Sequence, residues 1–314
     1  MGGGWLGGGW QGGGWQGGGW QGGGWQGGGW QGGGWSGGTG GGGPHAMRYD
    51  RPLVAEDLTP DGNQNPGDYP LHAWDADLLA LTFLPDFFTA IVGGQNWEAA
   101  ITVNNAIPNV VLPGGVVNPG DDSIDDLRIL AVTERPEAMG EIFDQNQNQQ
   151  LCFMQLLMMS DTSHRATFFL MKVVARVGEA VMMRLKRRYR RPRPSQYYPA
   201  LYPPVPVPGH ASYPAGHALI AQLTARVLID VTNPIGPPPS PYEKSLRALA
   251  DRIGRNRVIA GLHFWSDIRE GAAAGDKIHA FLRGMPKPNV VYPLFNYHTA
   301  LNNARDEWGL PPLP

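Results

Sequence analysis

The stretch PAGHALIAQLTARVLIDVT (residues 214–232) decides the fold, because it predicts a long helix whose first turn carries functional residues. Its apolar residues recur with helical spacing, and the breaker run NPIGPPPSP (233–241) ends the pattern. Pro214 suits the first turn of a helix, which places His217 in the same turn. A helix N-terminus presents free N–H groups that attract anions. The stretch therefore predicts a helix that begins at an anion site.

Other parts of the chain also carry helical spacing. These regions are 144–160, which starts at Asp144, 163–190, and 241–283 in at least two pieces. Residues 76–93 predict an apolar helix interrupted near Pro85, whereas residues 104–123 predict a loop. Alternating strand patterns are nearly absent. We therefore predict an all-α fold, a helical bundle with long functional loops.

The first 43 residues differ in composition from the rest of the chain. Trp recurs every five residues from Trp5 to Trp35 within glycine runs, and so much glycine costs too much backbone entropy for a lone helix or strand. The tract is either a flexible tail or a segment that self-associates through its indoles. The sequence GPHAM (43–47) resembles a cloning junction, so the tract is a natural tail or an engineered tag. We expect residues 44–314 to form a single all-α catalytic domain, with its core motifs in 184–267, and the protein to be a homo-oligomer.

Composition excludes several classes of function. The net charge of −2 argues against a general nucleic-acid binder, and the single Cys152 excludes an intramolecular disulfide. No N-terminal segment has the order of a signal peptide. The longest apolar candidate, residues 167–183, carries Lys172, Arg176 and Glu179, so no uncharged run reaches the roughly 18 residues of a membrane span. We expect a soluble protein, cytoplasmic by default.

A strongly basic stretch is the first of three segments that carry chemistry. It runs from Lys186 to Arg193, and Pro192 and Pro194 end the helix and hold Arg193 on a stiff loop. The planar guanidinium of arginine can donate two parallel hydrogen bonds to a tetrahedral oxyanion, and lysine adds a point charge. A solvated helix end or a nucleic-acid patch has the same composition.

The second segment is HASYPAGH (210–217), in which two histidines stand seven positions apart. Gly216 lets the backbone approach a ligand closely, and His217 follows it in the first turn of the predicted helix. A lone histidine is more often a buried structural residue, but His217 has cationic partners in the other two segments. His210 is either a second functional histidine or an exposed loop residue.

The third segment contains a histidine and a carboxylate four residues apart. His263 and Asp267 would share one face if this region is helical. A carboxylate on one imidazole nitrogen fixes the tautomer and leaves the other nitrogen basic, as nucleophile or ligand. A surface pair of this kind would contribute little. Arg257 would be a further cation, and its length or a break near Gly261 must bring it to the His263 side.

Together the three segments resemble the signature of a known superfamily. Their order is Lys186–x6–Arg193–Pro194, then Pro214-Ala215-Gly216-His217, then Asn256-Arg257–x5–His263–x3–Asp267. Over about residues 150–283 the chain is similar to type 2 phosphatidic acid phosphatases, bacterial acid phosphatases and vanadium-dependent haloperoxidases. Ala215 and Asn256 depart from the pattern, which has serine at both positions. The resemblance implies a helical bundle of the haloperoxidase and acid phosphatase type.

The resemblance also implies a role for each matched residue. The residues that would hold the oxygens of phosphate or vanadate are Lys186, Arg193, Gly216 and Arg257. His263 would be the phosphorylated nucleophile of a phosphatase or the vanadium ligand of a haloperoxidase, with Asp267 orienting it. His217 would be the general acid or base. His210 matches a second active-site histidine of vanadium bromoperoxidases, which tunes the pocket for peroxide and halide.

Three functions follow from these features. We favour a vanadate-dependent haloperoxidase, with vanadate as cofactor, that oxidises bromide or iodide with hydrogen peroxide and so serves a small organic acceptor. The alternative is an acid phosphatase that hydrolyses phosphomonoesters through His263; only His210 and its context separate the two. The hydroxyl missing at Ala215 is expected to weaken oxyanion binding by roughly 1 to 3 kcal/mol, or to shift the halide preference. The third is an assembly protein whose Gly/Trp tract drives oligomerisation.

Overall fold

The computed structural model describes residues 74–287 and 296–313, and the chain is mostly helical there. In chain order the helices are α1 (Ala76–Leu81), α2 (Leu84–Thr89), α3 (Trp97–Ala100), α4 (Ile124–Thr133), α5 (Arg135–Leu156), α6 (Arg165–Tyr189), α7 (Pro194–Tyr197), α8 (Gly216–Thr232), α9 (Glu243–Ile259), α10 (Trp265–Gly284) and α11 (Tyr297–Glu307). Two short strands, β1 (Val110–Val111) and β2 (Asp122–Ser123), pair in parallel. The prediction of an all-α fold is confirmed.

Helix α8 lies at the centre of the bundle. It packs against α6, α9 and α10, and also contacts α5 and α11. Leu219, Leu223 and Val227 face the main core with α6 and α10, whereas Leu228 belongs to a second cluster with α9. A helix that is apolar on all sides is buried on all sides, so α8 is held from every direction and its first turn has a fixed position.

Two glycines let α10 approach α8 closely. A side chain at Gly275 would place its Cβ 2.6 Å from the backbone oxygen of Leu219, and one at Gly271 would collide with the backbone oxygen of Ala215. The backbone N–H of Ala215 also donates to the carbonyl of Asp267 at 2.9 Å. These contacts hold the N-terminus of α8 beside the N-terminus of α10.

Several predicted boundaries need correction. The helix expected to start at Asp144 begins at Arg135, because Pro136 occupies its first turn and Asp144 lies inside it. Helix α8 begins at Gly216 with Ala215 as N-cap, so Pro214 precedes the first turn. The predicted helices at 163–190 and 241–283 are confirmed as α6 and as the pair α9 and α10.

Other elements were not expected from the sequence. Helices α4 and α11 were not predicted, and the predicted loop at 104–123 contains both β1 and β2. The predicted helix at 76–93 is the pair α1 and α2. The Gly/Trp tract of residues 1–43 lies outside the described residues.

Candidate active site

Six of the eight candidate site residues from the three sequence segments line one cavity of about 130 Å³, whereas Lys186 and Asp267 do not. Those that line it are Arg193, His210, Gly216, His217, Arg257 and His263. They come from the loop before α7, the loop before α8, the first turn of α8, the last turn of α9 and the α9–α10 connection. The central position of α8 explains this convergence, because α6, α9 and α10 all pack against it.

A break between α9 and α10 brings Arg257 and His263 to the same cavity. Helix α9 ends at Ile259, and Gly261 has a φ of +74°, a backbone conformation that favours glycine. The chain then turns, and α10 begins at Trp265. Of the two alternatives left open by the sequence, the length of Arg257 or a break near Gly261, the structure contains the break.

His263 and Asp267 are paired by a helix cap rather than by a shared helical face. His263 precedes α10, whereas Asp267 lies in its first turn and accepts a 3.0 Å hydrogen bond from the backbone N–H of Phe264. This cap turns Oδ2 of Asp267 toward Nδ1 of His263, at 3.3 Å. The Ser212 hydroxyl donates to the same carboxylate oxygen and lies 3.2 Å from Nδ1.

Arg191 holds the Asp267 carboxylate from the side opposite His263. One nitrogen of this buried guanidinium donates to Oδ1 of Asp267 at 2.7 Å, and another donates to Asp122 at 2.8 Å. Burial alone would raise the pKa of Asp267, but its hydrogen bond to His263 and the Arg191 charge bring that pKa below its usual range. Asp267 is therefore an anion that accepts the Nδ1 proton of His263.

Three residues of this support were missed by the sequence analysis: Ser212, Arg191 and Asp122. Ser212 stands inside the HASYPAGH segment, but its sequence position does not indicate its contact. Arg191 belongs to the basic stretch, in which proline spacing pointed only to Arg193. Asp122 comes from β2, about 70 residues before Arg191, and no local pattern marks it.

His263 is neutral, and its Nε2 atom is the basic nitrogen of the site. Burial, together with the charges of Arg193 and Lys186, lowers the pKa of His263 to about 3 despite the opposing effect of Asp267. Nη1 of Arg193 lies 3.4 Å from Nε2. An oxyanion bound to Arg193 would therefore lie beside the Nε2 atom.

His217 faces His263 from the first turn of α8. Burial lowers its pKa well below the usual value, and the nearby Arg257 charge lowers it further. A hydrogen bond to the backbone of Gln145 acts in the opposite direction. The ligand-free site therefore holds two neutral imidazoles, and a bound anion would favour protonation of His217 by offsetting the Arg257 charge.

Arg257 provides hydrogen-bond donors that have no protein acceptor. Its side chain is fully buried, and Nη2 donates to the backbone oxygen of Ile142 at 3.1 Å and to the Gln145 side chain at 3.4 Å. Among the described residues, Nε and Nη1 of Arg257 are buried without a hydrogen-bond partner. Burial lowers the pKa of Arg257 to about 10, so the residue is still a cation at neutral pH. Unpaired buried donors on a cation are an arrangement suited to an anionic ligand.

Arg193 links the cavity to the second histidine. It donates through Nε to the backbone oxygen of His210 at 2.9 Å and through Nη1 to that of Leu262 at 3.0 Å. Its Nη2 lies 3.1 Å from Nδ1 of His210. Burial and the charges of Lys186 and Arg193 lower the pKa of His210 to about 4. His210 is therefore a neutral residue of the cavity wall rather than an exposed loop histidine.

Lys186 and Gly216 have positions that the sequence did not anticipate. The buried Lys186 ammonium donates to the backbone oxygens of Ala211 and Ser212, at 2.6 and 2.8 Å, and lines the adjoining surface depression. Here it fixes the loop that carries His210. A Cβ at Gly216 would lie 2.7 Å from Sδ of Met182, so the small residue accommodates this methionine. The Gly216 N–H lies in the first turn of α8, where backbone N–H groups have no acceptor within the helix.

Comparisons with known proteins give distant structural similarities. No family model matches the chain, and no curated protein does so. A similar solved structure is the transmembrane PAP2-type phosphatidylglycerolphosphate phosphatase from Bacillus subtilis. The two are 18% identical, with a TM-score of 0.39, over 51% of this chain and 82% of that one.

The expectation of a cytoplasmic location is withdrawn. The similar solved structure is described as that of a transmembrane protein, and a similarity of this size places this chain neither in the cytoplasm nor in a membrane. Among the residues that the structure describes, no helix combines the length and the apolar character required to cross a membrane. We therefore assign the chain no location.

Proposed function

We propose that the chain is a phosphatase that hydrolyses phosphomonoesters through a phosphohistidine at His263. One observation carries the proposal: two neutral imidazoles, His263 and His217, line the same cavity as the unpaired donors of Arg257. A nucleophile, a proton-transfer group and an anion-binding cation are the groups that phosphoryl transfer requires.

The first step transfers the phosphoryl group to the protein. Arg193, Arg257 and the N–H of Gly216 bind the nonbridging oxygens. Nε2 of His263 forms a bond to phosphorus while the bond from phosphorus to the leaving oxygen breaks, and Asp267 stabilises the positive charge that develops on the ring. His217, protonated once the dianion is bound, gives its proton to the leaving oxygen.

The second step releases phosphate. The neutral His217 takes a proton from a water molecule, whose oxygen bonds to phosphorus as the phosphorus–nitrogen bond breaks. This step returns His263 to its neutral form and His217 to its protonated form, so one water is consumed for each ester. Asp267 and Ser212 keep Nδ1 of His263 oriented through both steps.

Vanadate-dependent haloperoxidation is the second candidate, and His210 favours it. Vanadate fits the same residues, because the unpaired Nε and Nη1 of Arg257 suit a tetrahedral oxyanion and Nε2 of the neutral His263, beside Arg193, has the basicity of a ligand. Vanadate, when bound, supplies a Lewis acid that activates hydrogen peroxide toward bromide or iodide. In this function His217 would move protons, and the neutral His210 would sit beside the reacting oxygens.

One purified sample can separate the two candidates. We would follow hydrolysis of p-nitrophenyl phosphate and, in parallel, bromination of an organic acceptor with hydrogen peroxide, with and without orthovanadate. We expect hydrolysis inhibited by vanadate, and an acid-labile phosphoprotein in rapidly quenched reactions. Vanadate-dependent bromination without hydrolysis would replace the phosphatase by the haloperoxidase.

Variants assign the activity to this site. His263→Ala should abolish hydrolysis and the phosphoprotein, and His217→Ala should lower kcat by roughly 10²- to 10⁴-fold. The matched control is His279→Ala, because His279 also pairs with an aspartate, Asp230, at 2.8 Å, but outside the cavity. Unchanged turnover in His263→Ala would refute the proposed nucleophile.

A further inference from the structure

The cavity has a polar arm that extends away from the oxyanion site. One wall of the arm is the segment Gln145–Asn146–Gln147–Asn148–Gln149–Gln150 of α5. A second wall comes from α1 and α6 and includes Asp77, Lys172, Arg176 and Glu179, together with the apolar side chains of Ala175 and Met182. The proposed mechanism uses only the backbone of Gln145 in this arm and leaves the other groups without a role.

A kink in α5 explains how six consecutive amide residues line one cavity. Successive side chains of a regular helix turn by about 100°, so six in a row would point in all directions. Asn148 interrupts the helix with φ of −160° and ψ of 95°, and its side chain accepts the backbone N–H of Gln150 at 3.0 Å. The interruption reorients the segment so that all six residues border the cavity.

Part of this amide wall is already engaged with the protein. The Gln145 side chain accepts from Asn256 at 3.0 Å, and that of Gln150 donates to the backbone oxygen of Met171 at 2.8 Å. Gln149 differs, because its side-chain oxygen is buried and has no hydrogen-bond partner in the part of the chain that the structure describes. A buried acceptor without a partner is unfavourable, and a ligand donor would satisfy it.

The charges of the second wall are paired with one another. Asp77 lies 2.9 Å from Lys172 and 3.0 Å from Arg176, and Arg176 lies 2.8 Å from Glu179. Two cations and two carboxylates leave this wall with no net charge. The arm therefore offers a ligand both hydrogen-bond donors and hydrogen-bond acceptors, but no net charge that would attract a second ionic group.

We propose that this arm binds a neutral, hydroxyl-rich group of the substrate, so that the preferred substrates are polyol or sugar phosphates. Hydroxyl groups both donate and accept, as side-chain amides do. An alkyl or acyl chain in the arm would instead desolvate the amides without replacing their hydrogen bonds. The proposal rests on the phosphatase function and specifies its substrate class.

Binding of two matched phosphonates tests the proposal without turnover. 2,3-Dihydroxypropylphosphonate and propylphosphonate share a carbon skeleton and differ by two hydroxyl groups. We expect calorimetry on the full chain to show about 10-fold or greater preference for the dihydroxy compound. Equal affinity, or tighter binding of the propyl compound, would overturn the proposal on the wild-type protein alone.

A variant locates the preference in the arm. Gln149→Leu should reduce the preference by about 3- to 10-fold while leaving inorganic phosphate affinity unchanged. The matched control is Gln155→Leu, on the exposed side of α5, which should keep the wild-type preference. An unchanged preference in Gln149→Leu, with phosphate bound normally, would remove Gln149 from the proposal and overturn it.

The proposed function and the polar arm can fail separately. Selective phosphonate binding without hydrolysis of any phosphomonoester would refute the phosphatase and leave the arm as a ligand site. Hydrolysis of phosphomonoesters with no preference for hydroxyl groups would support the phosphatase and refute the proposal about the arm. If inorganic phosphate does not bind at all, the oxyanion site is wrong and both proposals fall.

Discussion

Replacing Arg257 by methionine should stabilise the ligand-free protein while removing oxyanion binding. The guanidinium is fully buried, and two of its nitrogens have no hydrogen-bond partner. Burial lowers its pKa to about 10 from a usual value above 12, which corresponds to about 3 kcal/mol against the charged form. Two unpaired donors, at about 1 to 3 kcal/mol each, give a cost of similar size.

The substitution removes this unfavourable burial of about 3 kcal/mol, and the free energy that it loses in return is smaller. Met would lose the hydrogen bonds of Arg257 to Ile142 and to Gln145, each worth about 1 kcal/mol. The net effect is a gain of about 1 to 2 kcal/mol, or a Tm increase of about 2 to 4 °C. Loss of two charge-assisted hydrogen bonds to phosphate should weaken its binding by at least about 100-fold.

Thermal unfolding without phosphate and calorimetry with inorganic phosphate would measure the two effects. Arg305→Met is the matched control, since Arg305 is equally buried but donates through Nε and Nη1 to backbone oxygens of Asp230, Asn233 and Pro311, so that among the described residues only its Nη2 lacks a partner. That variant should lose stability, because three acceptors lose their donor. A lower Tm for Arg257→Met together with unchanged phosphate affinity would refute the assignment of Arg257 to the oxyanion site.

Three other substitutions or conditions give independent tests. Because the pKa of buried His263 falls to about 3, the unfolded chain binds an extra proton below about pH 6.5. Urea unfolding should therefore show full stability above that pH and a loss of at least about 3 kcal/mol by pH 4, to which the lowered pKa values of His210 and His217 add; a flat profile would contradict this. Gly275→Ala should cost about 1 to 3 kcal/mol against the Leu219 backbone, whereas Gly140→Ala, with open space around it, should gain up to about 1 kcal/mol in the same unfolding assay. Ala215→Ser should supply the N-cap that α8 lacks, raise stability by about 1 kcal/mol and tighten phosphate binding; calorimetry showing weaker binding would count against a ligand at this helix N-terminus.

The sequence by itself predicted the residues of the candidate site, because residue types and short spacings are local properties. The intervals between Lys186 and Arg193 and between His263 and Asp267 belong to the pattern that suggested an oxyanion site by resemblance. The same local patterns predicted helices at 163–190 and 241–283. Strong helical periodicity survives in the fold because the apolar face that produces it is the face that packs.

Only the tertiary structure decided how these residues are held. Arg191 reaches Asp122 and Asp267 across about 70 residues of sequence, and such a contact depends on how α10 meets the segment before α7. The unpaired nitrogens of Arg257 and the partnerless oxygen of Gln149 are also invisible in the sequence. Whether a buried polar atom has a partner depends on the packing of distant segments around it, and local spacing contains no information about that packing.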